Sequence, residues 1–397
     1  MNAPRTYAYY RQALAGRALP LAFVDLELFD QNVRDIAARA GGKPIRIASK
    51  SLRCVHLIER ILASGPVYRG IMAYSVREAV FLSHQGLDDL LVGYPAFHEI
   101  EDSGLAEELR RGKRIVVMAD CIEHVHRYDR YGKEFNVVVP VCLDLDMSSR
   151  FPGLYFGVLR SPIVTPEQAL RVARVLRGCK HARLAGLMGY EAQIAGVPDA
   201  LPGRAAWNWF VRTLKNKSMR EVRERRARVV AALEADGHEL EFVNGGGTGS
   251  VETTREEDCV TEIAAGSGFF CPPLFDHYAN FRHTPSVGFA IEITRIPGPG
   301  IYTCHGGGYV ASGTGADKLP HPYLPEGARL TPREGGGEVQ TPVLYNGPEK
   351  LALGDPVLMR YSKAGEMCER FNSLLCIEGG AVTHEFPTYR GEGQVFV

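Results

Sequence analysis

The chain has 397 residues, with 46 basic and 46 acidic side chains and no formal net charge, a length that suits two domains. Balanced charge gives no electrostatic reason to expect nucleic acid or an anionic membrane as a partner, and no apolar run approaches the ~20 residues of a membrane span. The nine cysteines are scattered, and the stretch around Tyr7, Tyr9, Tyr10 and Arg11 lacks the apolar core of a signal peptide, so a reduced, cytoplasmic setting is expected.

The first apolar run, 21–24, reads as a strand that precedes the main pattern and is expected to pair with the C-terminal part of the chain. From residue 44 onward, short β-branched runs alternate with amphipathic stretches. Strands are predicted at 44–49, 70–74, 90–93, 115–119, 137–144, 184–190, 241–244 and 260–264. Helical patterns at 52–63, 76–84, 167–176 and 207–235 lie between them. Apolar strands joined by helices belong to parallel sheets, and eight in succession predict a closed (β/α)8 barrel, assigned to residues 26–284. The 207–235 stretch is rich in arginine and lysine. Glu221 and Glu224 interleave with the bases, and Val222, Val229, Val230 and Leu233 form an apolar stripe, which predicts a solvated barrel helix rather than a nucleic-acid arm. After Thr284 glycine and proline become dense, and short strands such as 286–294 and 356–361 replace helices. Residues 1–25 and 285–397 are expected to form an antiparallel β domain.

Barrel enzymes carry their reactive groups at the C-terminal ends of the strands, often with a phosphate site after strands seven and eight. Two glycine-rich turns fall there: Asn244-Gly245-Gly246-Gly247-Thr248-Gly249-Ser250, and Gly266-Ser267-Gly268. Glycines let consecutive N–H groups approach an anion, and Thr248 and Ser267 add hydroxyl donors. One such turn is ordinarily just a loop; two on neighbouring strands predict a ligand bearing a phosphate. Lys50, closing Ile47-Ala48-Ser49-Lys50, would enter the same mouth, although a single lysine at a strand end is more often a surface cap. An amine on one wall facing a phosphate site on the other describes a pyridoxal phosphate Schiff base on Lys50.

Lys50 within Arg46-Ile-Ala-Ser-Lys-Ser, the Gly245-Gly246-Gly247-Thr248-Gly249 turn and the segment Thr261-Glu262 to Gly266-Ser267 resemble the fold-type III pyridoxal phosphate enzymes, the alanine racemase-like barrels. Within them the chain resembles the branch of D-threonine aldolase and D-serine dehydratase, over a stretch from about Leu21 to Phe371. The resemblance implies that Lys50 links covalently to pyridoxal 5′-phosphate and that Gly246, Gly247, Thr248, Gly266 and Ser267 hold its phosphate. It implies that Arg150 meets the phenolic oxygen of the cofactor ring, with Arg160 as a rival, and that Tyr190 lines the cofactor or simply fills the barrel. Glu191 would either support the site from behind or be a plain strand-end charge. A homodimer is implied too, with each site near the partner's C-terminal domain.

Where that branch carries His-x-Asp or His-x-Cys for a divalent metal, this chain has Glu366-Met367-Cys368. Residues two apart on a strand share a face, and 358–376 has strand character. Glu366 and Cys368 are therefore expected to converge on zinc or manganese. The competing expectation is an exposed charge cluster with Lys363, Glu369 and Arg370 beside a packed cysteine. The activity expected from the resemblance is aldol cleavage of a D-configured β-hydroxy amino acid to glycine and an aldehyde. Dehydration of such a substrate to a 2-oxo acid and ammonia comes second, racemisation third, and a non-catalytic pyridoxal phosphate-binding protein last. His305, Tyr309, Lys318 and His321 are expected to shape the substrate pocket.

Overall fold

The computed structural model describes residues 5–397. A first strand, Leu21–Asp25 (β1), precedes a closed barrel of eight parallel strands. The barrel begins with Ile45–Ala48 (β2), Tyr68–Ala73 (β3), Leu90–Pro95 (β4), Ile115–Ala119 (β5) and Val139–Asp144 (β6). A small hairpin of Ser149–Phe151 (β7) and Leu154–Phe156 (β8) follows, and then come Ala182–Gly189 (β9), Phe242–Gly245 (β10) and Glu262–Ala265 (β11). All eight expected barrel strands are present, and β11 closes the ring onto β2 through Ile263↔Ile45 and Ala265↔Ile47. The β7–β8 hairpin, which turns at Gly153 with φ +71°, is an addition to the expected pattern.

Period-two alternation sends half of the strand side chains inward, where Met72, Leu91, Val116, Met118, Cys142, Ala185, Met188 and Phe242 pack together. The other half faces the helices. The helix Val55–Ala63, for example, buries Val55, Leu57, Ile58 and Ile61, each contributing about 1.5–3 kcal/mol. The N-terminal end of the barrel is closed by charge. Arg46, 1% exposed, is held by both oxygens of Glu262 (2.6 and 2.8 Å) and by Asp89 (3.1 Å). A guanidinium this deep is tolerable because it is paired; removing one partner would leave an uncompensated buried charge.

The long helix Ala205–Ala235 corrects one expectation. Its apolar stripe is buried as expected, yet the basic series is not simply solvated. Lys215 pairs with Asp199 (3.1 Å), and Arg225 donates to the carbonyls of Asp146 and Ser148 (2.7 and 2.9 Å). Arg226 is wholly buried between Glu191 and Glu257. Helical spacing shows which residues share a face, but the carbonyls and acids that draw them inward come from other elements. Among the described residues, no helix is long and apolar enough to cross a membrane.

The remaining strands are Val287–Gly298 (β12), Ile301–His305 (β13), His321–Leu324 (β14), Arg329–Leu330 (β15), Gln340–Leu344 (β16), Pro356–Arg360 (β17), Ser373–Glu378 (β18) and Ala381–Pro387 (β19). With β1 they form one nine-stranded sheet. Because β1 is antiparallel to β12 but parallel to β18, the expected antiparallel sheet is mixed at that position. The stretch 358–376 is not one strand either: β17 ends at Arg360, a 3₁₀ turn occupies Gly365–Glu369, and β18 starts at Ser373. That turn packs on the backbone after β2. A Cβ on Gly365 would stand 2.3 Å from the Lys50 carbonyl oxygen.

Candidate active site

At the C-terminal ends of the barrel strands the side chains line a cavity of about 160 Å³. Lys50, Tyr94, Arg160, Tyr190, Gly246, Gly247, Thr248, Gly266 and Ser267 all lie on its wall. Lys50 is carried by a 3₁₀ turn, Ser49–Ser51, which is pinned by the buried Ser49 hydroxyl donating to the Met72 carbonyl at 2.9 Å. Lys50 Nζ donates to Tyr94 Oη at 2.7 Å. Strict alternation from the inward-facing Leu91 would aim Tyr94 away from the barrel. An irregularity between Leu91 and Pro95 in the β4–β5 pairing turns it in, which is how bulges re-aim side chains and why sequence spacing missed this residue. Burial alone would raise the Tyr94 hydroxyl's pKa; the Lys50 ammonium and Arg160 guanidinium outweigh it and hold the group below its ordinary value.

The two glycine turns meet on the cavity wall, the second of them following β11, the strand that pairs with the one leading to Lys50. Gly246 has φ +87°, in the left-handed region. A Cβ on Gly247 would meet Ala195 at 2.8 Å and the Tyr190 ring at 2.9 Å, and one on Gly266 would meet Ser51 Oγ at 2.7 Å. The glycine turns are tied together by Gly268 N, which donates to Thr248 Oγ1 at 2.9 Å, and the second is tied to the lysine turn, where the Ser51 and Ser267 hydroxyls stand 3.1 Å apart. The Gly246 N–H goes to Glu191 (3.3 Å) and the Gly247 N–H to Ser250 Oγ (3.1 Å). These two glycines therefore provide room, whereas the N–H groups of Thr248 and Ser267 meet no protein acceptor among the described residues.

Arg150 and Arg160 are separated by the hairpin. Arg150 is exposed on β7 with its guanidinium 5.7 Å from the Tyr155 ring, and it does not reach the cavity wall. The returning chain brings Arg160 to the wall, 5.6 Å from the ring centre of Tyr94 and 5.5 Å from that of Tyr190. Burial pushes the Tyr190 hydroxyl up to about 12 despite Arg160. Glu191, 1% exposed, supports the site from behind. It accepts from Arg226 (2.8 Å), Gly246 N (3.3 Å), Ser250 Oγ (2.8 Å) and Thr254 Oγ1. Asp144, which ends β6, was not singled out by sequence; burial first, and then the neighbouring Asp120, push its carboxyl up to about 7.

Glu366 and Cys368 are not brought together. Glu366 accepts from the Ser312 N–H (2.6 Å) and hydroxyl (2.9 Å). Cys368, 1% exposed, donates to the Leu52 carbonyl at 3.2 Å, and burial pushes its thiol well up. In a 3₁₀ turn residues two apart project to different sides. The convergence expected from strand spacing is therefore absent, and the pair does not fit a metal. His305, Tyr309, Lys318 and His321 do not line the cavity; Tyr309 packs on Phe289 and Phe371, at centroid distances of 5.2 and 5.5 Å.

Residues 24–271 match the family described as alanine racemase, N-terminal domain. The chain is 22% identical over 253 residues to the 3-hydroxy-D-aspartate aldolase of Paracoccus denitrificans (strain Pd 1222), and 23% identical over 260 residues to the D-threonine aldolase of Arthrobacter sp.. Each alignment covers 63% of this chain and 60% of the relative, so the chain spans about 60% of the length of these curated relatives. Among solved structures, D-threonine aldolase from Filomicrobium marinum superposes with a TM-score of 0.79 at 20% identity, over 94% of this chain and 95% of that one. D-threo-3-hydroxyaspartate dehydratase from Delftia sp. HT23 superposes with a TM-score of 0.76 at 17% identity, over 95% and 98%. At such identities the structural likeness speaks for the fold. The family match takes in Lys50, both glycine turns and all eight barrel strands, and the chain belongs to the alanine racemase N-terminal domain family.

Proposed function

We propose that this protein is a pyridoxal 5′-phosphate-dependent lyase that cleaves a D-configured β-hydroxy amino acid into glycine and an aldehyde. The observation that carries the reading is one cavity lined both by an amine, Lys50 Nζ, and by two glycine turns, at Thr248 and Ser267, that can accept an anion. The residues fit the cofactor. Among the described residues, Thr248 and Ser267 present N–H groups that no protein atom takes up and Tyr74 Oη is buried on the wall without a partner, and side chains at Gly247 or Gly266 would crowd the cradle.

Bound there, pyridoxal phosphate supplies an electron sink for charge developing at the substrate α-carbon. Lys50 stands where the covalent partner is needed. Thr248 and Ser267 bind the phosphate, Gly246, Gly247 and Gly266 leave room for it, and Glu191 holds the first turn in shape. Arg160, rather than Arg150, is the arginine for the ring's phenolic oxygen, and Tyr190 lies beside it. Lys50 and Tyr94 share a proton across their 2.7 Å bond. Tyr94 Oη, eased by two cations, is equipped to take the proton of a substrate β-hydroxyl, and Lys50 Nζ to deliver one to the α-carbon. No step is assigned to a metal on Glu366 and Cys368. Support for the substrate class comes from relatives named for aldolase activity on 3-hydroxy-D-aspartate and D-threonine. The resemblance also favours a homodimer, and nine free cysteines are in keeping with a reducing compartment.

The purified protein is expected to absorb near ~420 nm and to lose that band on borohydride reduction. Separate incubations with D- and L-3-hydroxy amino acids are then scored for aldehyde and for 2-oxo acid. Glycine and aldehyde from the D-isomers support the aldolase. A 2-oxo acid with ammonia would assign a dehydratase instead, and absence of the band would remove the cofactor from the reading.

A further inference from the structure

We propose that Asp120, Cys121 and His124 form a divalent-cation site at the barrel mouth, with a borderline metal such as zinc as its occupant. Asp120 directly follows β5, and Cys121 and His124 open the helix Ile122–Phe135. His124 Nδ1 lies 3.0 Å from Asp120 Oδ1 and 3.2 Å from Cys121 Sγ, and one ligand atom from each residue lies within 4.8 Å of the other two. These separations approach the edges of a coordination polyhedron: ligands at ~2.0 Å (N, O) and ~2.3 Å (S) around a tetrahedral ion stand roughly 3.3–3.7 Å apart. Imidazole, carboxylate and thiolate together suit zinc, whereas magnesium and calcium prefer an all-oxygen shell.

Cys121 is the N-cap residue of its helix, and its sulfur lies against the His124 N–H and the Glu123 carboxylate as well as the imidazole. The Asp120 N–H reaches His124 Nδ1 only at a long 3.4 Å. Phe97 and Tyr128 lie against the imidazole, at centroid distances of 6.1 and 6.3 Å, and keep Nδ1 turned towards the acid and the thiol.

A second observation is independent of that cluster. Met118 and Cys142 face the barrel interior, so Asp120 and Asp144, two residues further along each strand, follow on the same side. The register sets Ala119 beside Leu143, and Asp144 beside Met188, a residue of the cavity wall. The two aspartates thus stand next to each other at the C-terminal ends of adjacent strands. Asp144 is 8% exposed, and among the described residues its carboxylate accepts no hydrogen bond and meets no cation within 4 Å. Neighbouring carboxylates in a half-enclosed mouth repel unless a proton or a cation lies between them. A cation on the triad would provide that charge, close to the wall that carries Arg160. Loading zinc transfers the Cys121 thiol proton to solvent and leaves the thiolate on the metal, with no other bond changed.

The test reads zinc rather than turnover, so its outcome is separate from that of the reaction proposed above. The holoenzyme is loaded with zinc and titrated with a chromophoric chelator. A single zinc per chain is expected, with affinity lowered at least about tenfold by Cys121→Ser and by His124→Gln. Asp144→Asn should weaken it less, and Cys368→Ala should leave it unchanged. X-ray absorption at the zinc edge of the loaded Cys368→Ala protein should show a sulfur neighbour at ~2.3 Å. Unchanged zinc affinity in a Cys121→Ser protein that melts like the wild type would overturn the proposal. So would the lack of a sulfur neighbour, a measurement that holds even where the triad variants do not fold.

Discussion

Lys50 is placed by its neighbours more than by its own side chain: Ser49 anchors the turn beneath it and Tyr94 receives its ammonium. Lys50→Ala removes an amine from a solvent-facing mouth and no core methylene. Stability is expected to move by less than about 0.5 kcal/mol, while activity and the borohydride-reducible band disappear. A reducible band surviving in the Ala variant would assign the cofactor to another lysine. Glu78 lies behind the same turn, wholly buried, accepting from Tyr74 N (2.6 Å) and Tyr389 Oη (2.9 Å). Burial pushes its carboxyl from the ordinary 4.5 up to about 7. Between those values the folded chain keeps a proton that the unfolded chain releases. The group's contribution is therefore fully present below about 4.5 and lost as pH rises through about 7. At ~1.4 kcal/mol per unit the loss has an upper bound of about 3.5 kcal/mol. Glu78→Gln cannot ionise, so denaturant unfolding between about pH 5 and pH 8 should give a flatter stability profile than the wild type. An unchanged slope would place the titrating group elsewhere.

Among the elements, the 3₁₀ turn Gly365–Glu369 does something that strand spacing could not indicate. It forms a backing plate for the lysine turn, through Gly365 against the Lys50 backbone, Cys368 on the Leu52 carbonyl and Glu369 on Arg53. Gly365→Ala would push a methyl group into main-chain atoms that cannot swing aside. A cost of about 1–3 kcal/mol is expected, together with a weaker hold on the cofactor, read by thermal melting and by the dissociation constant of pyridoxal phosphate. A variant with the wild-type melting temperature and affinity would show that the two turns move independently. The β7–β8 hairpin illustrates the same limit of spacing. It carries Arg150 out and returns Arg160, and the choice between them depended on a local turn that strand and helix periodicities do not register.

For the whole molecule, the helix Ala205–Ala235 opens with Trp207, Trp209 and Phe210 at 50%, 70% and 42% exposure, and Leu159 is 86% exposed. Exposed aromatics close together in sequence mark a surface that a partner covers, and the family resemblance points to a second copy. A two-fold homodimer is expected in sedimentation at assay concentration, and Trp209→Asp should shift it towards monomer with loss of activity. A wild-type protein that is monomeric and fully active would rule this out.

The barrel, its eight strands and the pairing of Lys50 with two glycine turns were legible in the sequence because each rests on local chemistry. Alternation and apolar runs define strands, glycine spacing defines an anion turn, and chain order then puts these features at one end of the ring. The tertiary structure alone decided the rest. A pairing irregularity turned Tyr94 inward, a hairpin exchanged Arg150 for Arg160, carbonyls and acids on other elements drew Arg225 and Arg226 off the surface, and a 3₁₀ turn parted Glu366 from Cys368. Each of these depends on which distant segment lies across from a residue, and on the exact register in which they meet, quantities that no window along the chain contains.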